Sequence, residues 1–467
     1  MNTLFSIGNK EERKKVSWLR RRLWLNYRSA SGTNHWFRRR VTRPGWTVLG
    51  GIFAAGLMGV DTNLSVAYQA FVFLIILFVF SVIASRFAGA KLLVERSLPR
   101  YGTAGSPLRY DVTVTNSTQR PQHGLSVMEN LPDPRPSLLQ FGCTPEPGEE
   151  RRNWFDRKFL VYRWRWLMKQ NKQATARERV VPVLAPNSSG QVAMELLPLR
   201  RGVMRMPGVS IACPDPIGLF RKLIPMPQPE SVLILPKRYR VHSLALPGTQ
   251  QYQQGGVALA ASVGESEEFI SLRDYRAGDP LRKIDWKSWA RTGKPIIKEY
   301  VDEYFVRHGL ILDTFSGPAD ADEFEEAVSI AASFACTVQN QDSLLDLMFI
   351  GLRAYCFTMG RGVGHVEQLL EVLAGVRPCP DHDFVALERL IVRHAPGLSG
   401  CLCVLLDWDE PRRHLVRALR TIGVPVMVIL VVKAGASMAV DPGPLADVPA
   451  SFHVVESGKV EEGLARL

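Results

Sequence analysis

Leu310-Ile311-Leu312-Asp313-Thr314-Phe315-Ser316-Gly317 and, further along, Val404-Leu405-Leu406-Asp407 are two apolar runs that each end on an aspartate. A short apolar run without polar alternation reads as a strand covered on both faces, and such strands belong to parallel sheets with helices on either side. The surrounding sequence supplies those helices. Strand-like runs at 309–312, 344–350, 401–406 and 424–432 alternate with helical patterns at 323–338, 363–376, 384–394 and 410–421. This order predicts an α/β doubly wound domain over residues 267–467. Groups at the carboxyl ends of such strands gather in the ligand crevice, so Asp313, Ser316 and Asp407 are candidate oxygen ligands for Mg²⁺. The plainer use of the two aspartates is to cap the helices that follow them.

Just upstream lies the most densely patterned segment, 268–299. It reads Glu268-Phe269-Ile270-Ser271-Leu272-Arg273-Asp274-Tyr275-Arg276-Ala277-Gly278-Asp279-Pro280-Leu281-Arg282-Lys283-Ile284-Asp285-Trp286 and continues through Trp289, Arg291, Lys294 and Lys298 to Glu299. Arg273, Arg276, Arg282, Arg291, Lys294 and Lys298 are interleaved with Asp274, Asp279, Asp285 and Glu299. Opposite charges so close together satisfy one another, which predicts a hydrogen-bonded network fixing this domain against the preceding one; a partner surface is the alternative. The mixed sign excludes a phosphate-backbone footprint, which needs a surplus of Lys and Arg.

The pattern Phe-x-x-Leu-Arg-x-Tyr-x-x-Gly-Asp-x-x-Arg-x-Ile-Asp-Trp at 269–286 resembles the signature of the domain-of-unknown-function-58 family of bacterial membrane proteins. The residues that carry the resemblance are Leu272, Arg273, Tyr275, Gly278, Asp279, Arg282, Asp285 and Trp286, with Arg291 following. The strand-end aspartates are similar to the metal-binding edge of a von Willebrand factor A domain, in which Asp-x-Ser-x-Ser follows the first strand and a later strand supplies another Asp. Here Phe315 and Gly317 stand where the two serines belong. The resemblance therefore implies a degenerate site at Asp313, Ser316 and Asp407 that binds Mg²⁺ weakly or not at all. It also implies a partner, a MoxR-type AAA+ ATPase, with which this chain would recognise or present clients.

Towards the N-terminus the pattern changes twice. Residues 91–247 alternate apolar and polar positions, as in Leu108-Arg109-Tyr110-Asp111-Val112-Thr113-Val114, with similar pieces at 159–166, 191–197 and 231–235. An antiparallel β-sandwich follows from that alternation. Within it Arg201-Gly202 and Cys213-Pro214-Asp215-Pro216-Ile217-Gly218-Leu219-Phe220 read as tight connections, and Gln- and Gly-rich residues 248–266 read as a linker. Before the sandwich, 44–86 holds two apolar runs split by Asp61-Thr62-Asn63, the second with ten consecutive apolar residues from Phe71 to Phe80. This predicts a transmembrane α-hairpin. Gly51, Ala55 and Gly59 recur every four residues, spacing that lets the two helices approach closely.

The chain carries a net charge of +13, and most of it sits in residues 1–43, where twelve Lys and Arg face only Glu11 and Glu12. A basic segment directly before an apolar run suits anionic membrane lipids and not nucleic acid. With basic flanks outside both runs and an acidic turn between them, the expected location is the cell inner membrane, with two helices and both termini cytoplasmic. Seven cysteines without a C-x-x-C pair suggest neither a disulfide framework nor a zinc site. No Gly-x-x-x-x-Gly-Lys-Ser/Thr loop, His-Glu-x-x-His or Gly-x-Ser-x-Gly occurs. Gly360, Gly362 and Gly364 lack the full dinucleotide pattern, and Asp381-His382-Asp383 reads as a helix start. The expected function is a membrane-tethered, non-enzymatic adaptor without a cofactor, its client and oligomeric state left open. The competing expectation is an envelope-associated hydrolase or transferase using Asp313, Asp407 and Asp409.

Overall fold

A computed structural model describes residues 17–58, 65–87, 89, 91–241, 269–276, 279, 281, 284–300, 306–317, 320–338, 343–351, 353–360, 366–380, 384–436 and 440–466. The chain divides into two compact units, Met1–Lys237 and Arg238–Leu467. The residues read as a linker, 248–266, lie outside those described.

The first unit opens with three helices, α1 (Trp18–Arg40), α2 (Arg43–Met58) and α3 (Ser65–Phe87). Among the described residues only Val66–Phe87 forms a helix long and apolar enough to cross a membrane. The 16 residues of α2 rise about 24 Å, short of the roughly 30 Å hydrocarbon core. Asp61-Thr62-Asn63 lie outside the described residues. The two helices pack closely and run antiparallel: a Cβ on Gly51 would meet Leu74 at 3.2 Å, and one on Gly56 would meet Phe71 at 3.2 Å. Gly56 is thus a close-approach position alongside Gly51, and Gly59 lies outside the described residues.

Strands β1 (Leu92–Ser97), β2 (Tyr101–Thr103), β3 (Leu108–Asn116) and β4 (Ser126–Asn130) begin the sheet region. Helices α4 (Leu138–Cys143), α5 (Trp154–Phe159) and α6 (Val161–Asn171) follow, and then β5 (Ala174–Ala176), β6 (Arg179–Val180), β7 (Ser189–Pro198), β8 (Gly202–Pro214) and β9 (Arg221–Leu235). Two sheets form, in the orders β1-β3-β7-β5 and β2-β9-β8-β4-β6. The strict alternation along β3 turns Leu108, Tyr110, Val112 and Val114 inward, where they share one core with Val127, Met204, Met206, Ile211 and Ile234 of the other sheet. Buried at its centre, Arg96 pairs with Glu129 at 2.6 Å, and Tyr110 Oη donates to the same carboxylate at 2.7 Å.

Two expectations are corrected in this unit. Residues 159–166 are helical, spanning the end of α5 and the start of α6, with Leu160 between them at φ 56°. The run Phe-Leu-Val-Tyr-Arg-Trp-Arg-Trp carries strand-like residues, but its surroundings decide its conformation. Phe141, Leu160, Trp164 and Leu167 form a small core of their own, and Leu23, Trp24 and Tyr27 of α1 complete it. The basic N-terminal segment is therefore no simple tail. From Trp18 it is a helix whose apolar side is spent on this insertion, tied by Trp24 Nε1 to the Pro136 carbonyl (2.9 Å) and by Tyr27 Oη to the Phe159 carbonyl (2.8 Å).

The second unit contains a two-stranded antiparallel sheet, β10 (Phe269–Asp274) with β11 (Ile296–Tyr300), and between them the short α7 (Trp286–Thr292). The main sheet follows with β12 (Val306–Leu312), α8 (Ala321–Val338), β13 (Ser343–Ile350), β14 (Ala354–Met359), α9 (Val366–Gly375), α10 (Phe384–His394), β15 (Gly400–Leu405), α11 (Glu410–Thr421), β16 (Val426–Val432), β17 (Phe452–Glu456) and α12 (Val460–Leu464). Its strand order is β14-β13-β12-β15-β16-β17. All neighbours are parallel except β13 and β14, which are antiparallel. Every residue of β15 is buried, as strands covered on both faces require. Helix α8 packs on β12, β13, β15 and β16, α9 on α8 and β14, and α10 on α11, β13 and β14.

Candidate functional site

In this strand order the sheet is wound outwards in both directions from β12, first through β13 and later through β15. In such an order the ligand crevice is expected where the winding reverses, at the carboxyl ends of β12 and β15. Asp313 follows β12 there and is completely buried, its N–H donating to the Val404 carbonyl of β15 at 2.9 Å. Its carboxylate accepts three hydrogen bonds. Phe315 N–H reaches Oδ1 at 2.9 Å, Leu406 N–H reaches Oδ2 at 3.1 Å, and Arg412 Nε donates to Oδ2 at 2.6 Å.

Arg412 comes from the first turn of α11. Asp409 caps that helix, its carboxylate accepting from Arg412 N–H at 3.3 Å and again from Arg412 Nη1 at 2.7 Å. The guanidinium therefore bridges two carboxylates while remaining only 5 % exposed. Its flat face lies over Phe384, 5.1 Å from the ring centre, and the Phe315 ring packs on the same Phe384 at 5.4 Å. Burial pulls the Arg412 pKa down, but Asp313 and Asp409 outweigh it and hold it above the ordinary value.

The three candidate metal ligands are thus placed very differently. Asp313 faces a guanidinium. Ser316 is buried, and its Oγ has no hydrogen-bond partner. Asp407 is exposed, with Oδ1 accepting from the next residue's N–H at 2.7 Å. The helix cap expected of Asp407 belongs to Asp409. Among the described residues no group of three or more His, Cys, Asp or Glu stands ready for a metal ion. A resident Mg²⁺ does not fit this donor set, because both Asp313 oxygens already accept hydrogen bonds, one of them from Arg412, and a dication there would sit against a positive charge.

The signature segment forms a separate cluster. Arg273 grips Asp279 through both terminal nitrogens, at 2.7 and 2.8 Å, and Arg276 N–H adds a bond of 2.8 Å. These bonds hold the Asp279 carboxyl down at about 2. Asp285, at the start of α7, accepts from Ser288 Oγ at 2.6 Å and lies 3.5 Å from Lys298 Nζ. Trp286 and Trp289 stack with ring centres 5.2 Å apart. Leu272, Leu281 and Trp286 are exposed, as is Arg291, while Tyr275 is half-buried. Gly278 and Arg282 lie outside the described residues. Among the described residues two of the expected charge pairs form, Arg273–Asp279 and Lys298–Asp285, and each closes within the segment itself. Sequence reasoning missed Arg412, although a signal was present: Arg412, Leu415, Val416 and Leu419 are the buried positions of α11, so this arginine falls in phase with the apolar stripe. A concavity of about 390 Å³ bounded by Val440, Pro442, Phe452, His453 and Arg466 involves none of these residues.

Residues 271–433 match the family model described as "Protein of unknown function DUF58". That span runs from the signature hairpin to the residue after β16 and includes both Asp313 and Arg412. Among curated proteins, the chain is 26 % identical over 185 residues to "Uncharacterized protein YeaD" from Bacillus subtilis (strain 168), covering 39 % of this chain and 45 % of that protein. The chain thus spans less than half of that relative's length. Among solved structures, part of the chain (37 %) aligns with 21 % of native alpha-2-macroglobulin from Escherichia coli, residues from domain MG7 to the C-terminus, at 14 % identity and a TM-score of 0.20. A Salmonella alpha-2-macroglobulin mutant, Y1175G, gives 14 % identity and a TM-score of 0.18 over 37 % of this chain and 9 % of that one. Scores this low do not establish a common fold.

Proposed function

We propose that this protein is a membrane-tethered, non-enzymatic adaptor. In this reading α2 and α3 form an inner-membrane hairpin with both termini in the cytoplasm, near anionic lipid headgroups. The second unit is a von Willebrand factor A-like doubly wound domain that presents clients to a MoxR-type AAA+ ATPase. The observation that carries the reading is the state of the sheet edge: Asp313 and Asp409, two of the three acids a hydrolase would use, are both bound by Arg412. Acids so engaged serve a binding module better than acid–base or nucleophilic chemistry, which needs a carboxylate free to move a proton or attack. The absence of a phosphate-binding loop from the sequence suits a protein that relies on a partner for ATP. The long apolar helix Val66–Phe87 supports the tether.

Affinity purification of the full chain from native membranes, with crosslinking and mass spectrometry, tests the partner. Recovery of an AAA+ ATPase of the MoxR type is expected. Topology is tested by reporter fusions: one after Leu467 should be active only where cytoplasmic maturation suffices, and one at Thr62 only on the far side.

A further inference from the structure

We infer that Arg412 is a built-in cation that takes the place of the divalent metal at this sheet edge, so that whatever the edge does, it does without metal. The inference rests on reading the second unit as von Willebrand factor A-like, and concerns one thing that reading leaves open: what neutralises the buried acid at the crevice.

A carboxylate buried as deeply as Asp313 needs a positive partner or must give up its charge. In a metal-dependent edge the partner is an exchangeable ion, and the edge is functional only when loaded. Here the partner is covalently part of the chain. Three observations support the replacement. Arg412 Nε and the Leu406 N–H occupy Asp313 Oδ2, and the Phe315 N–H occupies Oδ1, so neither oxygen is left over for a metal. The guanidinium bridges on to Asp409, as a cation shared between two acids would. Phe315, standing where a hydroxyl ligand belongs, packs on Phe384, the same ring that supports the guanidinium face. Phe315 and Arg412 thus suit one another: an aromatic wall favours a broad, weakly hydrated cation and offers a hard dication nothing. Ser316 Oγ, the one hydroxyl left among the candidate ligands, is buried without a hydrogen-bond partner and makes no bond to Arg412 or Asp313.

If this is right, deleting the cation recreates a vacancy that a free metal ion can fill. The experiment uses the full chain in detergent and Mn²⁺ alone as probe, read by thermal unfolding and by the electron paramagnetic resonance signal of free Mn²⁺. Wild type should show no shift in melting temperature in millimolar Mn²⁺ and no site sensitive to Asp313. R412S should melt lower without metal, recover several degrees with Mn²⁺, and bind it at least about tenfold more tightly than wild type. Adding D313N to R412S should abolish the recovery, which separates this edge from adventitious surface acids. R412Q keeps a hydrogen-bond donor toward Asp313 and stands in should R412S fold poorly. The inference is overturned if wild type binds Mn²⁺ in a way D313N removes. It is equally overturned if a variant of the pair that melts cooperatively, and so is folded, gains no Asp313-dependent response to Mn²⁺. Either result leaves the partner of the adaptor reading untouched, since that is measured by recovery of an ATPase.

Discussion

Asp215 holds together the loop against which the link between α1 and α2 packs, and its replacement has a calculable cost. The side chain is only 4 % exposed. Its two oxygens accept from Phe220 N–H at 2.8 Å and Ile217 N–H at 3.1 Å, and the loop closes with Asp215 N–H on the Phe220 carbonyl at 2.9 Å. The loop in turn offers its carbonyls to the link between α1 and α2. Thr42 Oγ1 donates to the Gly218 and Leu219 carbonyls at 2.6 and 3.0 Å, Thr42 N–H donates to Leu219 at 3.1 Å, and Gly45 lies so close to the Leu219 carbonyl that no Cβ fits. Asp215→Ala removes two charge-assisted bonds worth roughly 1.5–3 kcal/mol each and leaves donors that water partly satisfies. A loss of about 3–4 kcal/mol follows, or a fall in Tm of about 6–15 °C in a unit of this size. Asp215→Asn keeps one acceptor oxygen and should cost about half. Thr42→Val should cost about 1 kcal/mol. Because both residues act through one loop, the double variant should be less destabilised than the sum by at least about 0.5 kcal/mol. Urea and thermal unfolding of the full chain in detergent measure all four proteins. Asp215→Ala within about 1 kcal/mol of wild type, or strict additivity with Thr42→Val, would refute the reasoning.

Gly208 sits at φ +141° where the pairing of β8 with β9 shifts register, and a Cβ there would collide with the Met226 carbonyl and lie 2.6 Å from Gln228 N; Gly208→Ala should cost at least about 2 kcal/mol in the same unfolding assay. Burial pushes the Cys401 thiol up to about 12 and raises Cys403 well above the ordinary thiol value, and partial desolvation lifts Cys356, though its residue is exposed, to about 11. An aromatic disulfide reagent at pH 8 should therefore label exposed Cys143 first, and Cys401 and Cys403 only after denaturation. The Asp279 carboxyl is depressed to about 2 by Arg273, so its contribution to holding the signature hairpin is fully present above the unfolded carboxylate range near 4 and disappears as pH falls towards 2. Arg273→Ala should move that titration back up, as carboxyl carbon chemical shifts would report; an unmoved titration would mean that Arg273 is not the cause.

The parts legible in the sequence are those where period and burial agree. β15 and β16 are apolar throughout, the later parts of β12 and β13 (309–312 and 347–350) are apolar as well, and their intervening helices carry a 3.6-residue stripe, so the elements declare themselves. β17 was passed over because its residues Phe452–Glu456 are mostly half-buried and follow a Pro- and Gly-rich stretch that reads as loop. The antiparallel direction of β14 is set by a tight return from β13 that residue types do not encode. Residues 159–166 misled because aromatic and β-branched residues alternate with arginine there, whereas their helical state depends on α1, more than a hundred residues away in the chain. At the sheet edge the two aspartates could be found as strand ends. Their different fates could not, because the fate of Asp313 depends on which face of α11 turns inward.

The account's central claim, that this is an adaptor serving an ATPase, is tested most directly by crosslinking the full chain in native membranes in the presence of ATP and identifying what is captured. A MoxR-type AAA+ ATPase, enriched over a control membrane protein, is the predicted result. Its consistent absence from the captured proteins, at crosslinking yields that recover known complexes of the same membrane, would contradict the claim.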